Sequence, residues 1–194
     1  VLGMGESTVD DKIGDLMKID NPIVGLLAHP GQVDVRITAT GEDSERKILI
    51  DKTKQEILER LNETTIISED LTPIDYLQNL LIKNNKEIII LDEASNGFIT
   101  SEIGGNPDLN VIGISGKSND IEKYKTPNTD SIVISIESEY LDKNVNNLAK
   151  GKTYIQISDG TKEITEYQQF GVRSKIDKQR LLMLVVHLLI KFSV

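Results

Sequence analysis

The sequence predicts a chain of mixed class, α+β and then α/β. A small α-β-β-α-β domain over residues 1–68 precedes an α/β sheet domain over residues 71–194, which ends in an antiparallel hairpin edge and a C-terminal helix. Three observations carry this. Val33, Val35, Ile37 and Ala39 alternate strictly with Asp34, Arg36, Thr38 and Thr40, the period of a half-buried strand. The apolar run Ile88 to Leu91 stops at once in Asp92, Glu93, Ala94, Ser95, Asn96 and Gly97, as a buried strand does before a helix in α/β proteins. Between them, Ser68-Glu69-Asp70 is a polar break followed by a fresh helix opening.

Each element follows in order. Ser7 stands three residues before Asp10 in a cap pattern, and Val9, Ile13, Leu16 and Met17 then share a helical face. Gly3-Met4-Gly5 reads as a turn rather than a phosphate cradle, because no strand leads into it. Asn21-Pro22 ends the helix, Ile23 to Ala28 is a strand, and His29-Pro30-Gly31 turns into the alternating strand. Asp43 to Leu61 is rich in helix formers, with Ile48, Leu49, Ile57, Leu58 and Leu61 as its apolar stripe, and a short strand is expected at Thr64 to Ile67.

In the second domain, Thr72-Pro73-Ile74-Asp75 supplies a cap, a proline at the first helical position and an acid three residues on, opening a helix through Leu77 and Leu81. The strand before Asp92 follows. Leu109 to Ser115 and Ser131 to Ser138 are further strands, separated by the lysine-rich Lys117 to Lys125. Lys150 to Ser158 and Thr161 to Phe170 flank Asp159-Gly160 as a hairpin, and a long helix runs from Arg173 almost to the end.

Composition narrows the function classes. The 194 residues are 38% hydrophobic and 27% charged, an ordinary globular balance. With 22 basic and 31 acidic residues the formal net charge is −9, spread evenly, and Val1 to Thr64 alone carries 13 acidic against 8 basic residues. Such a surface repels phosphate backbones, so no nucleic-acid partner is expected. No cysteine is present, which excludes disulfides and thiolate metal sites and fits a cytoplasmic location. His29 and His187 stand alone without zinc-ligand spacing, so no metal or other cofactor is expected. The apolar run Leu181 to Ile190 is broken by His187 and is too short to span a bilayer, so it reads as a buried helix and no membrane partner is expected. The start VLGMGEST has no initiating methionine or signal pattern, so a preceding segment is expected.

The strand end at Asp92 is where chemistry would sit. Ser95 is a candidate nucleophile, and a lysine of lowered pKa, Lys117, Lys123 or Lys125 on the loop after the next strand, is a candidate base. Arg173 is placed to hold a phosphate or carboxylate. The competing reading is structural. Asp92-Glu93 is then a solvated strand end, Ser95-Asn96-Gly97 a helix cap, and the lysines an exposed loop.

The order of these motifs resembles the CinA family, the competence/damage-inducible proteins whose C-terminal domain includes nicotinamide mononucleotide deamidases. GMGEST, a helix, NPIVGLLAHPGQVDVRITATG and a second helix resemble the family's small linking domain in register. EIIILDEASNGFIT resembles the family's strand followed by Glu-Ser-Cys-Thr-Gly-Gly, and the hairpin, QQFGVR and last helix resemble its end. The resemblance implies a nicotinamide nucleotide or related phosphate ligand, a homodimer, and a preceding molybdopterin-binding-like domain. It also implies that the catalytic set is degenerate. Glu93 matches, but Ala94 stands where the family has its serine nucleophile, and Ser95 stands where it has cysteine. Lys117-Ser118-Asn119-Asp120-Ile121-Glu122-Lys123 echoes Tyr-Ser-Asn-Glu-Ala-Lys without the tyrosine and with the lysine one residue late. The Thr-Gly-Ile-Ala-Gly-Pro loop has no counterpart, and Phe170-Gly171-Val172-Arg173 is one residue shorter than Phe-Pro-Gly-Asp-Arg. The expectation is a deamidase-like domain with lost or reduced activity that binds a nucleotide or serves assembly, with Glu93, Asn96, Gly97 and Arg173 as its binding residues. The alternative is a working amidohydrolase on nicotinamide mononucleotide that uses Ser95 with Lys117 or Lys123.

Overall fold

A computed structural model of the chain describes residues 1–62, 65–67, 70–114, 118–124, 130–140 and 151–193. It divides into two compact units, Val1–Glu69 and Asp70–Val194.

The first unit runs α1 (Glu6–Ile13), a 3₁₀ turn (Leu16–Lys18), β1 (Ile23–His29), β2 (Gln32–Thr38) and α2 (Asp43–Arg60). β1 and β2 form an antiparallel hairpin in register from Ile23 opposite Thr38 to His29 opposite Gln32. Gly31 turns it at a φ of +83°, where a side chain would be strained. Val9, Ile13, Leu16, Val24, Val33, Ile57 and Leu61 form the core, so both helices close on one face of the hairpin. Arg60, in the last turn of α2, donates to the Lys12 carbonyl at 3.2 Å and pairs with Asp15 and Glu56, tying the two helices together.

Three local expectations change here. α1 begins at Glu6 behind Gly5, with no side-chain cap, so Ser7 lies inside the helix. Ile48 is 67% exposed, because the buried side of α2 runs through Thr53 and Ile57 toward Leu61. Thr65 makes a single bridge to Leu2, which also bridges Gln32, and Ile66 and Ile67 are not strand; Thr64 lies outside the described residues.

The second unit holds α3 (Pro73–Lys83), β3 (Glu87–Asp92), α4 (Phe98–Ile103), β4 (Val111–Ile114), a 3₁₀ turn (Ser118–Lys123), β5 (Ser131–Tyr140), β6 (Gly151–Ser158), β7 (Glu163–Gln168) and α5 (Lys175–Ser193). The Thr72 hydroxyl accepts from the Asp75 amide at 3.1 Å and Pro73 occupies the first helical turn, as the sequence predicts. The strand order is β4-β3-β5-β6-β7; β3 is parallel to β4 and β5, and β6 and β7 are the antiparallel edge.

Alternation sorts the side chains onto two faces. Ile88 and Ile90 lie level with Ile132 and Ile134, and Ile134 and Ile136 lie level with Ile157 and Ile155. α4 crosses this face closely: a Cβ on Gly113, opposite Ile90, would lie 2.7 Å from Thr100 Cγ2. α3, α4 and α5 pack on one another here, and the Gln78 side chain donates to the Ile103 carbonyl at 2.8 Å. On the opposite face Ile121, from the 3₁₀ turn, packs with Leu91 and Val133.

β4 begins at Val111 rather than Leu109, and Ser115 lies outside the described residues. The hairpin turn spans Asp159 to Lys162, wider than the Asp159-Gly160 dipeptide. The reason is the Asp159 carboxylate, which accepts from the Thr161 amide at 2.9 Å and the Lys162 amide at 2.7 Å.

Candidate functional site

β3, β4 and β5 run parallel, so their carboxyl ends meet at one edge of the second unit, and Asp92 ends β3 there. The chain then folds over its neighbour, with the Glu93 and Ala94 amides both donating to the Ile136 carbonyl, at 3.1 and 3.2 Å. Asn96 and Gly97 take left-handed conformations, φ +56° and +80°, which turn the chain into α4. Asparagine and glycine are the residues that tolerate this.

Inside the turn Ser95 is fully buried. Its hydroxyl donates to the Asp92 carboxylate and accepts from the Ile99 amide at 3.1 Å, while Asp92 also accepts from the Ser95 amide at 2.8 Å. The Ser95 oxygen thus serves the first turn of α4 as a cap acceptor, and Asp92 fixes its orientation. Ala94, where a nucleophile would stand, is buried and has no reactive atom. Glu93 and the Asn96-Gly97 tip are exposed.

Of the three candidate bases, only Lys123 lies among the described residues, and it does not join Ser95. Lys117 and Lys125 lie outside the described residues. Lys123 is exposed at the end of the 3₁₀ turn, and that turn packs through Ile121 against the face of Leu91 and Val133. Asp92 and Ser95 belong to the other face, with Ile88, Ile90 and α4. The two hydroxyl contacts of Ser95 go to Asp92 and Ile99.

Arg173 is half-buried on the segment that leads into α5. That segment is held at the carboxyl end of the sheet. Thr153 Oγ1 donates to the Phe170 carbonyl at 2.7 Å and lies 2.9 Å from Ser138 Oγ. Gly171 rides so close to Gly151 that a Cβ on Gly151 would lie 2.6 Å from the Gly171 Cα. α5 then opens on a reciprocal cap: Ser174 Oγ accepts from the Asp177 amide at 3.1 Å, and Asp177 accepts from the Ser174 amide at 2.9 Å. One residue on, the Lys178 ammonium stands 5.9 Å from the centroid of the Phe98 ring, the first residue of α4.

Two partners escaped the sequence reading. Asp92 and Ser95 are three residues apart, the spacing of a carboxylate that closes a turn on a hydroxyl, and that signal was present. Nothing in the sequence pairs Phe98 with Lys178, because they come from helices far apart in the chain.

The histidines lie elsewhere. His29 Nε2 is 3.0 Å from the Asp34 carboxylate on the exposed hairpin of the first unit. His187 is buried in α5, where burial and then Lys191 push its pKa below the ordinary value. Among the described residues no three His, Asp or Glu side chains converge as a metal site, and no helix is long and apolar enough to cross a membrane.

Residues 1–65 match the family described as the damage-inducible protein CinA KH domain. A CinA-like protein of Prochlorococcus marinus strain MIT 9312 is 31% identical over 124 residues, which cover 62% of this chain and 29% of that protein. A putative competence-damage inducible protein of Clostridium perfringens strain SM101 is 29% identical over 117 residues, which cover 60% of this chain and 28% of that protein. The chain therefore spans less than a third of the length of these relatives. The crystal structure of a competence-damaged protein (CinA) superfamily protein from Enterobacter cloacae covers 66% of this chain and 96% of its own, at 12% identity and a TM-score of 0.38.

Proposed function

We propose that this chain, for which the matching family and the curated relatives support the CinA family, carries a deamidase-like second domain that no longer performs the amide hydrolysis and keeps a nucleotide-binding or assembly role. The observation that carries this reading is the Ser95 hydroxyl, buried and spent on Asp92 and Ile99. A serine nucleophile needs a base to take its proton and an open path to a carbonyl carbon. Here the proton already points at a carboxylate, and the lone pairs hold the start of α4. With Ala94 at the neighbouring position, the turn presents no group able to form an acyl intermediate. Loss of such a nucleophile leaves only a small residue of an enzyme's rate enhancement.

The ligand is read from what remains at the carboxyl end of the sheet: the exposed Glu93, the Asn96-Gly97 turn, and Arg173 on the segment that leads into α5. A nicotinamide nucleotide offers a phosphate for the arginine and a polar ring substituent for the turn. A homodimer in the cytoplasm, joined to a preceding molybdopterin-binding-like domain, completes the proposal.

The test incubates the purified chain with nicotinamide mononucleotide and measures ammonia release, beside a Ser95→Ala variant. No release supports the reading, and turnover that vanishes in the variant overturns it in favour of a working amidohydrolase. Calorimetric titration with the same nucleotide, comparing wild type with Arg173→Ala, tests binding. Heat that depends on Arg173 supports the nucleotide role; no heat in either protein leaves assembly alone.

A further inference from the structure

We infer that the second unit carries a further small-molecule site at the amino end of its parallel strands, suited to an α-amino acid with an apolar side chain. It is independent of the strand end at Asp92, which lies at the opposite edge of the sheet.

The site is a cavity of about 440 Å³ whose lining includes Lys86, Ile132, Asp159, Lys162, Phe192 and Ser193. That volume is within the range of small-ligand sites. Its walls meet because of strand direction. Ile132 stands near the start of β5, and β6 runs antiparallel to β5, so the turn after β6 returns to this edge with Asp159 and Lys162. β7 then crosses to the carboxyl edge, where α5 opens, and α5 brings Phe192 and Ser193 back.

Two observations point to a ligand. Ser193 lines the cavity, and its hydroxyl oxygen is buried without a hydrogen-bond partner. A hydroxyl in that state costs free energy in the empty protein, and a partner supplied by a ligand removes the cost.

The second observation is a pair of opposite charges that share the cavity without meeting. The Thr161 amide, the Thr161 hydroxyl and the Lys162 amide all donate to Asp159 Oδ1, at 2.9, 2.8 and 2.7 Å. Among the described residues no donor reaches Oδ2. The Lys162 ammonium donates to the Phe192 carbonyl at 3.0 Å and stands 4.8 Å from the Phe192 ring centroid, so two of its three donors remain. Among the described residues neither charge forms an ion pair, whereas Lys86 already lies 3.4 Å from Asp130.

Charge then selects the ligand. A carboxylate suits Lys162, an ammonium suits Asp159 Oδ2, and Ile132 with the Phe192 ring supplies apolar wall. A plain anion would face the Asp159 carboxylate, and a plain amine would face the Lys162 ammonium. A molecule that carries both signs on one carbon meets each with its opposite. Capping the end of α5 explains the bond from Lys162 to the Phe192 carbonyl, but it leaves the Ser193 hydroxyl and Asp159 Oδ2 without a role.

Magnetic resonance titration of the whole chain, following the signals of Lys162, Phe192 and Ser193, tests this. The probes are L-leucine, isocaproate, which lacks its amino group, and isoamylamine, which lacks its carboxylate. Saturable shifts are expected with leucine, and binding about tenfold weaker with each analogue, the loss of one charge-assisted hydrogen bond. Lys162→Gln should weaken leucine by a similar factor and leave isoamylamine unweakened. Ser193→Ala should weaken leucine without lowering the urea midpoint of the free protein. No saturable shift with leucine overturns the inference, and so does isocaproate or isoamylamine binding as tightly as leucine. A Ser193→Ala variant that binds leucine normally and unfolds at lower urea overturns the role of the hydroxyl. The analogue comparison needs wild type alone, so it decides the matter even where a variant fails to fold, and no outcome depends on the nucleotide reading.

Discussion

Replacing Ser95 by alanine removes a single oxygen from a fully buried position, and the cost can be worked from its two contacts. The Ile99 amide loses the acceptor it reaches at 3.1 Å, in a helical turn that offers no other. A buried donor left unpaired costs about 1–3 kcal/mol. The half-buried Asp92 carboxylate loses one donor, keeps the Ser95 amide at 2.8 Å, and can be rehydrated, so this part is smaller, ~0.5–1 kcal/mol. The void left by one hydroxyl is too small to add much. The sum is about 1.5–4 kcal/mol of destabilisation of the second unit, large against the stability of a small domain. Urea unfolding followed by circular dichroism measures it, with ammonia release from nicotinamide mononucleotide assayed on the same preparations. The expected outcome is a lower midpoint with an unchanged slope and no activity to lose. A variant as stable as wild type would refute the assignment of Ser95 to the fold, and stability retained with activity abolished would return it to chemistry.

Three further outcomes are expected. Gly151→Ala should destabilise the second unit by about 1–3 kcal/mol, because the new methyl meets the Gly171 backbone at 2.6 Å and backbone cannot swing aside; thermal unfolding reads this. Thr72→Ala should cost about 1 kcal/mol by removing the acceptor for the Asp75 amide, and Thr72→Ser should restore most of it in the same assay. His187 has its folded pKa lowered by burial and by Lys191, so between that value and the ordinary 6.5 the unfolded chain binds more protons than the folded one. Stability of the second unit should therefore rise with pH through that window and fall as pH drops through it; urea midpoints measured across it should show this slope, and His187→Gln should flatten it.

The fold was legible where local chemistry is decisive. The alternation through Val33, Val35 and Ile37 placed β2 and its inward face, and Thr72, Pro73 and Asp75 placed the start of α3. It was less legible where a partner elsewhere in the chain decides. Thr65 has the composition of a strand, yet its pairing is one bridge to Leu2. Ile48 fits a helical stripe, yet the buried residues of α2 are Thr53 and Ile57, and Ile48 stays in solvent. The hairpin turn widened because Asp159 closes on the Thr161 and Lys162 amides, a choice between turn geometries that the dipeptide leaves open.

By itself the sequence determined which groups the strand end can offer: an alanine and then a serine, an asparagine-glycine turn, and an arginine before the last helix. Residue identity settles that, because no folding can make Ala94 nucleophilic. What Ser95 does with its hydroxyl, and which face of the sheet Lys123 occupies, only tertiary structure decided. Two bonds turn the Ser95 hydroxyl inward to Asp92 and α4, and the sheet's alternation sends the Lys123 segment to the opposite face. The pairing of Lys178 with Phe98 belongs to the same class of fact, since it exists only where two helices start at one edge of a sheet.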